Sequence, residues 1–297
     1  MWHKYKNGNH YVYINDENGT KIRKTIDDNA TEFISDFADS VDFKITNKCF
    51  NNCAFCHEKS TSTGLVGNMD EWKFLDTLHP YTEMAIGGGD VLTFDRLYEL
   101  LELLKSKNIY ANITIQQNNI FDEKVDYLVE HELVKGIGVS LYGYLKDDIE
   151  RIKSLPNTVI HLINGLTACE ASFHQLADKD LKILILGYKT FGRGIEFAQD
   201  KSFKYNLENM KWVEENIEDY ITRFKVVSFD NLAVTQLKLK EKLTDKQWKM
   251  FYGGDDGTHT FYIDGVNKQF AKSSTSTKRF DLLDNIDDMF HIIRQQQ

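Results

Sequence analysis

Positive charge is scarce in this 297-residue chain: 36 Lys and Arg against 45 Asp and Glu leave a net charge of −9. A general nucleic-acid binder usually presents a basic face, so none is expected here. Long apolar runs are missing too. No stretch approaches a membrane span, and the N-terminal MWHKYKNGNHYVYI lacks the apolar core of a secretory signal. The expectation is a soluble, cytoplasmic protein with no membrane partner. Proline occurs twice and marks no linker. Cysteine occurs four times, and three of the four lie between Cys49 and Cys56. In a reducing compartment such clustering points to metal binding rather than to disulfides.

What is present suffices for a sizeable core, with 41% hydrophobic and 12% aromatic residues. Residues 11–25 read as a hairpin, Tyr11–Ile14 and Lys21–Thr25 around a turn at Asn18-Gly19. An acidic segment over 26–40 reads as a short helix. Apolar β-rich runs then begin near Val41, Glu83, Tyr110, Gly136, Thr158 and Leu181. Helix-period segments lie between them. The clearest is Thr93–Lys107, where Phe94, Leu97, Leu101 and Leu104 share one face and Thr93 can cap the start. Another is Phe121–Val134. Such alternation predicts βαβ units, a parallel sheet and an α/β fold. Six units predict a curved, partial (β/α)6 barrel, with its sites at the C-terminal strand ends. Beyond residue 200 the rhythm changes to a helix at 207–221, a strand at Phe224–Phe229, a helix near 231–241 and a hairpin near 258–272. The expected division is an N-terminal hairpin and acidic segment (1–40), a core barrel (41–200) and an α+β C-terminal extension (201–297) that caps the substrate side.

Cys49, Cys53 and Cys56 directly follow the first barrel strand. Three thiolates on a short loop can each take one corner of a cubane. A [4Fe–4S] cluster needs four ligands, so three local cysteines leave one iron open for an exogenous ligand. Structural zinc, with His57 or the distant Cys169 as fourth ligand, is the competing reading.

The Cys-x3-Cys-x2-Cys spacing, with Phe55 just before the last cysteine, resembles the signature of the radical S-adenosylmethionine (SAM) superfamily. The resemblance implies two cofactors, a [4Fe–4S] cluster and SAM. SAM's amino and carboxylate groups chelate the unique iron, and an electron from the reduced cluster breaks a carbon–sulfur bond. The resulting 5′-deoxyadenosyl radical removes a hydrogen atom from substrate. It also implies an electron donor such as flavodoxin or ferredoxin.

Other motifs extend the resemblance over residues 41–195. Gly87-Gly88-Gly89-Asp90 closes the second strand and resembles the family's glycine-rich loop, which holds SAM's amino group. Asp90 departs from the usual glutamate and is one methylene shorter. Ser140 resembles the serine that meets SAM's ribose or carboxylate. Gln116, Gln117 and Asn118 end the third strand and Asn164 the fifth, as candidates for cofactor or substrate contacts; an ordinary satisfied hydrogen bond is the alternative for each. Lys189 and Arg193 stand in a glycine-bearing loop after the sixth strand, where Arg193 suits a carboxylate or phosphate. His57 and Glu58 could tune the cluster. Asp230 and Ser273–Thr277 read as surface.

Cys169 is the remaining cysteine. It reads as a small buried hydrophobe, or as the hydrogen donor of a peptide epimerase. The cysteine count leaves no thiolates for a second cluster. The expected activity is therefore hydrogen abstraction from an unidentified small molecule or nucleotide, with an anionic one favoured. A peptide-modifying enzyme, and a non-catalytic iron–sulfur or zinc protein, are the alternatives.

Overall fold

The computed structural model describes residues 1–27, 29–30, 32–143 and 148–296. Six strands follow the expected rhythm: β4 (Ser40–Thr46), β5 (Glu83–Gly88), β6 (Tyr110–Gln116), β7 (Gly136–Ser140), β8 (Val159–Ile163) and β9 (Lys182–Leu186). Before them come β1 (Trp2–Asn7), β2 (His10–Asn15) and β3 (Lys21–Thr25). After them come β10 (Val226–Phe229), β11 (Thr260–Asp264), β12 (Gln269–Ala271) and β13 (Phe280–Asp281). One 10-stranded sheet runs β10-β9-β8-β7-β6-β5-β4-β11-β12-β13. It is parallel from β10 through β11, and β12 and β13 are antiparallel. The hairpin expected near 258–272 is present, but its first strand lies against β4 and lengthens the main sheet.

The connections are α1 (Leu97–Ser106), α2 (Glu123–Glu130), α3 (Asp148–Ser154), α4 (Glu170–Leu176) and α5 (Arg193–Gln199), then α6 (Phe203–Ile221), α7 (Asn231–Gln236), α8 (Leu239–Lys242), α9 (Asp245–Phe251) and α10 (Ile286–Arg294). α1 buries Leu97, Leu100, Leu101 and Leu104. Thr93 does not cap it. The Thr93 hydroxyl donates to the Asp90 and Lys48 carbonyls, and Asp90 caps the short turn before the helix. The helix expected over 231–241 is broken into α7 and α8, with Lys238 at φ 50° between them. α10 was not expected, although Ile286, Met289, Phe290 and Ile293 are buried at helical spacing behind an Asn285 cap. Among the described residues no helix is long and apolar enough to cross a membrane.

Strand alternation separates two environments. Val41, Phe43 and Ile45 of β4 are buried in the apolar core. Asp42 and Lys44, one position out of phase, line a polar cavity. Period-two geometry forces this division.

The N-terminal strands form a separate sheet, β1-β2-β3. The hairpin read at 11–25 is therefore two strands of three. The described part of 26–40 is loop rather than helix, up to the first residue of β4. Its Asp36 and Phe37 amides donate to the Asn7 side chain, which takes up bonds a helix would have made internally. The small sheet docks through Asp39, which is fully buried. Asp39 accepts from Arg23 Nε at 2.7 Å and Asn7 Nδ2 at 2.7 Å, and Lys21 pairs with Glu83 at 2.5 Å. Burial raises the Asp39 pKa, but the Arg23 and Lys21 charges and the bonds from Arg23 and Asn7 outweigh it, so it lies below 3.8. A depressed carboxylate stabilises the fold above its ordinary pKa, and that contribution is lost as pH falls through the folded value. Asp39→Asn should thus cost about 1–3 kcal/mol at pH 7. The gap between wild type and variant should narrow below pH 3.8, as read from urea midpoints across pH.

Candidate functional site

The segment after β4 turns back on itself. Cys49 N–H donates to the Thr61 carbonyl at 2.8 Å, and Thr61 N–H to Asn47 at 3.1 Å. Within the loop Cys56 N–H donates to the Cys53 carbonyl at 3.2 Å. Cys49 is buried, while Cys53 and Cys56 are half-buried and all three are free thiols. Burial pushes the Cys53 thiol up, and the nearby Cys56 and Cys49 sulfurs push it further. Mutual repulsion of this kind is relieved when thiolates ligate a cationic centre.

Two neighbouring loops hold this one. Gly89 N–H donates to the Thr46 carbonyl at 2.6 Å and Asp90 N–H to Lys48 at 2.8 Å. A Cβ at Gly88 would overlap the Thr46 carbonyl oxygen, and one at Gly89 that of Lys48. Gly88 also needs φ +114°, open to glycine alone. From the far side Arg193 Nε donates to the Cys53 carbonyl and Nη2 to the Ser60 carbonyl, both at 3.0 Å. The Arg193 amide donates to the Cys56 carbonyl at 3.1 Å. Arg193 was expected to hold an anion. Its guanidinium is instead committed to carbonyls of the cysteine loop.

A cavity of about 400 Å³ opens beside these loops. Cys53, Phe55, Cys56, Gly87, Gly88, Gly89, Asp90 and Ser140 all line it. So do Gln116, His57, Glu58, Lys189 and Ser274. Asp90 keeps one carboxylate oxygen on its own turn, accepting from Leu92 N–H, and the other on Asn119 Nδ2 at 3.2 Å. Nothing lies within 4 Å of the position a Gly87 Cβ would take, so the backbone is open to a ligand there. Gln117 is withdrawn, accepting from the Tyr142 and Gly143 amides and donating to Asp148. Asn118 is exposed. Asn164 is buried outside the cavity lining, its amide on Gln236 at 3.1 Å and its Oδ1 without a partner. Cys169 forms the N-cap of α4, with Sγ 3.7 Å from Ser172 Oγ, and does not line the cavity. Asp230 caps α7 and accepts from Gly187 N–H at 2.8 Å.

The sequence reading missed the ionic floor of the site. Lys44 Nζ lies 2.7 Å from Glu58 and 3.2 Å from Asp264, all with side chains at most 12% exposed. Tyr262 donates to Glu58 Oε1 at 3.1 Å. Lys189 Nζ meets Ser274 Oγ at 3.0 Å and His57 Nε2 at 3.4 Å. Burial first, then the Lys189 and Lys44 charges, holds His57 neutral well below 6.5. A lysine in phase with Asp42 and Thr46 on a strand flanked by parallel neighbours, in VDFKIT, was the available signal.

The three thiols suit a cubane by their chemistry: they are reduced, close enough to repel, and on one loop beside an open glycine backbone. Among the described residues no three His, Cys, Asp or Glu side chains converge tightly enough for a single metal ion. A cubane spreads its thiolates over separate irons and does not require that convergence.

No family model and no curated protein matches the sequence. Solved structures do. SuiB of Streptococcus suis bound to its precursor peptide SuiA aligns at TM-score 0.60 and 14% identity, over 98% of this chain and 88% of that one. SuiB bound to S-adenosylmethionine aligns at TM-score 0.60 and 13% identity, over 99% and 90%. At such identity the likeness is one of architecture, a mixed α/β fold with a large parallel sheet.

Proposed function

We propose that the chain is a radical SAM enzyme acting on a still unidentified substrate. One observation carries the reading: Cys53, Cys56, Gly87–Asp90 and Ser140, from separate sequence segments, line a single cavity. Cys49, Cys53 and Cys56 would hold a [4Fe–4S] cluster. When bound and reduced, that cluster would supply the electron for reductive cleavage of SAM and so the means of hydrogen abstraction from substrate.

The chain's own residues do the rest. Arg193 and the Gly88-Gly89 backbone fix the cysteine loop between two strand ends. The open backbone at Gly87 and the Ser140 hydroxyl offer SAM polar contacts. Asp90 serves mainly to orient its turn, because both oxygens are already engaged. Phe55, with its ring centroid 6.0 Å from that of Phe197, gives the cavity an apolar flank that limits water. A donor such as flavodoxin or ferredoxin would supply the electron, and the enzyme would work in the cytoplasm.

A peptide substrate is the second reading. It draws support from SuiB, whose complex with a precursor peptide shares this fold over nearly the whole chain. The anionic small molecule rests on Lys189 alone once Arg193 is occupied.

The test is anaerobic reconstitution with iron, sulfide, SAM and dithionite. Wild type should release 5′-deoxyadenosine, and Cys53→Ala should lower that release by at least about 100-fold, as expected when an essential group is removed. Tight zinc binding without nucleoside release would reject the enzyme reading.

A further inference from the structure

Every charged side chain that lines the cavity is committed to a protein partner except one. Lys44 is paired with Glu58 and Asp264, and Glu58 also accepts from Tyr262. Asp90 caps its own turn and holds Asn119. Lys189 is bonded to Ser274 and His57. Asp42, on β4, lines the same cavity and, among the described residues, has no hydrogen bond or ion pair.

Position explains why Asp42 faces the ligand space. Its neighbours Val41 and Phe43 point into the apolar core, so the strand's pleat turns Asp42 to the other face. Across the sheet it stands level with Tyr262 on β11 and Ala85 on β5. Both of these line the cavity too, and neither carries a charge at ordinary pH. Ala85 is too short to reach across, and Tyr262 turns its hydroxyl to Glu58.

The surroundings make a lone carboxylate unfavourable. Burial raises its pKa to about 6; Lys189 lowers it, and Asp256 and Asp230 raise it further. Protein surrounds the carboxylate closely enough to raise its pKa, yet the side chain itself stays open to the cavity space. An open, unpartnered carboxylate on the wall of the cavity is available to pair with a cationic ligand there. Further round the wall lie His161 and Thr114. His161 is held neutral by burial, its pKa down to about 4. Its ring leans over Gly138, where any Cβ would collide with it. This wall therefore offers one negative charge and neutral polar groups, with the Lys189 ammonium, held by the neutral Ser274 and His57, as the cation that acts on it.

We propose that Asp42 is the substrate-recognition carboxylate of the site, receiving an ammonium or guanidinium group of the substrate. This rests on reading the cavity as the reaction chamber, and it reverses the sign of charge expected from the sequence. A cationic nitrogen would complete the missing ion pair, as an anion would not.

The test uses the cluster-loaded protein with SAM present and a charge series of equal length: n-pentylammonium, n-pentanol and pentanoate. Binding is followed by ligand-observed NMR. Wild type should bind n-pentylammonium at least tenfold more tightly than pentanoate. Asp42→Asn should lose that preference, and Asp42→Glu should keep it within a few-fold. Equal or tighter binding of pentanoate by wild type would overturn the proposal, a measurement that needs no variant to fold. Undiminished pentylammonium binding by Asp42→Asn would overturn it as well. Release of 5′-deoxyadenosine by the same wild-type preparation tests the enzyme class separately, so the two readings can fail independently.

Discussion

Replacing Lys44 by methionine should destabilise the protein by about 3–5 kcal/mol, the usual consequence of removing one partner from a buried ion network. Lys44 is 3% exposed, and its ammonium sits between two carboxylates that are themselves nearly buried. Methionine keeps the length of the stem and removes the charge. Glu58 and Asp264 would then face each other without a cation. Glu58 retains Tyr262, and Asp264 retains the amides of Val266 and Asn267. Those bonds soften the loss without replacing the charge. The melting temperature should fall by about 10 °C, given a few degrees per kcal/mol in domains of this general size. Adding Asp264→Asn should recover part of the loss, because it removes one stranded charge while Asn can still accept from those two amides. A fully additive double mutant would show that the groups do not interact. The network also ties β4, the cysteine loop and β11 together, so iron retention should fall with stability.

Gly192→Ala should strip the protein of cluster-binding competence. Gly192 has φ +59° and ψ −132°, a conformation that suits glycine. The strain of an alanine there is about 1–3 kcal/mol. Sterics add to it, since the new methyl would overlap the His57 carbonyl oxygen directly after the last cysteine of the cluster motif. The cheapest relief is to push the two loops apart. That breaks the bond from Arg193 N–H to the Cys56 carbonyl and withdraws the Arg193 guanidinium from Cys53 and Ser60. Iron bound after anaerobic reconstitution should drop at least several-fold while far-UV circular dichroism stays close to wild type. Arg193→Met, which leaves the backbone free to close, should give a smaller loss. Full iron loading of Gly192→Ala would show that the β9 loop does not position the cysteines.

The contrast between Arg193 and Asp42 shows where residue-type reasoning ended. An arginine among glycines at a strand end reads as an anion site, because arginine suits carboxylates and phosphates. Its actual partners are backbone carbonyls about 130 to 140 residues earlier in the chain, and nothing local announces them. Asp42 sits in an alternating run, VDFKIT, where polar residues read as the solvent side of a strand. The sheet turns that side onto the candidate site's cavity. The pattern is the same in both cases, and only the wrapping of distant strands tells them apart. α10 is a different matter. Its apolar spacing and Asn285 cap were visible in the sequence but lie after the βα rhythm ends.

The sequence alone determined the α/β order, the six central strands and the trio of cysteines at the end of the first. These are consequences of short-range physics: pleat, helical period and the spacing of ligands on one loop. Tertiary structure decided what that physics cannot reach. It placed β11 beside β4 across more than two hundred residues, set Lys44 between Glu58 and Asp264, committed Arg193 to the cysteine loop and left Asp42 facing the cavity unpaired. A buried charge is governed by whatever surrounds it in space, and here most of those neighbours come from far along the chain.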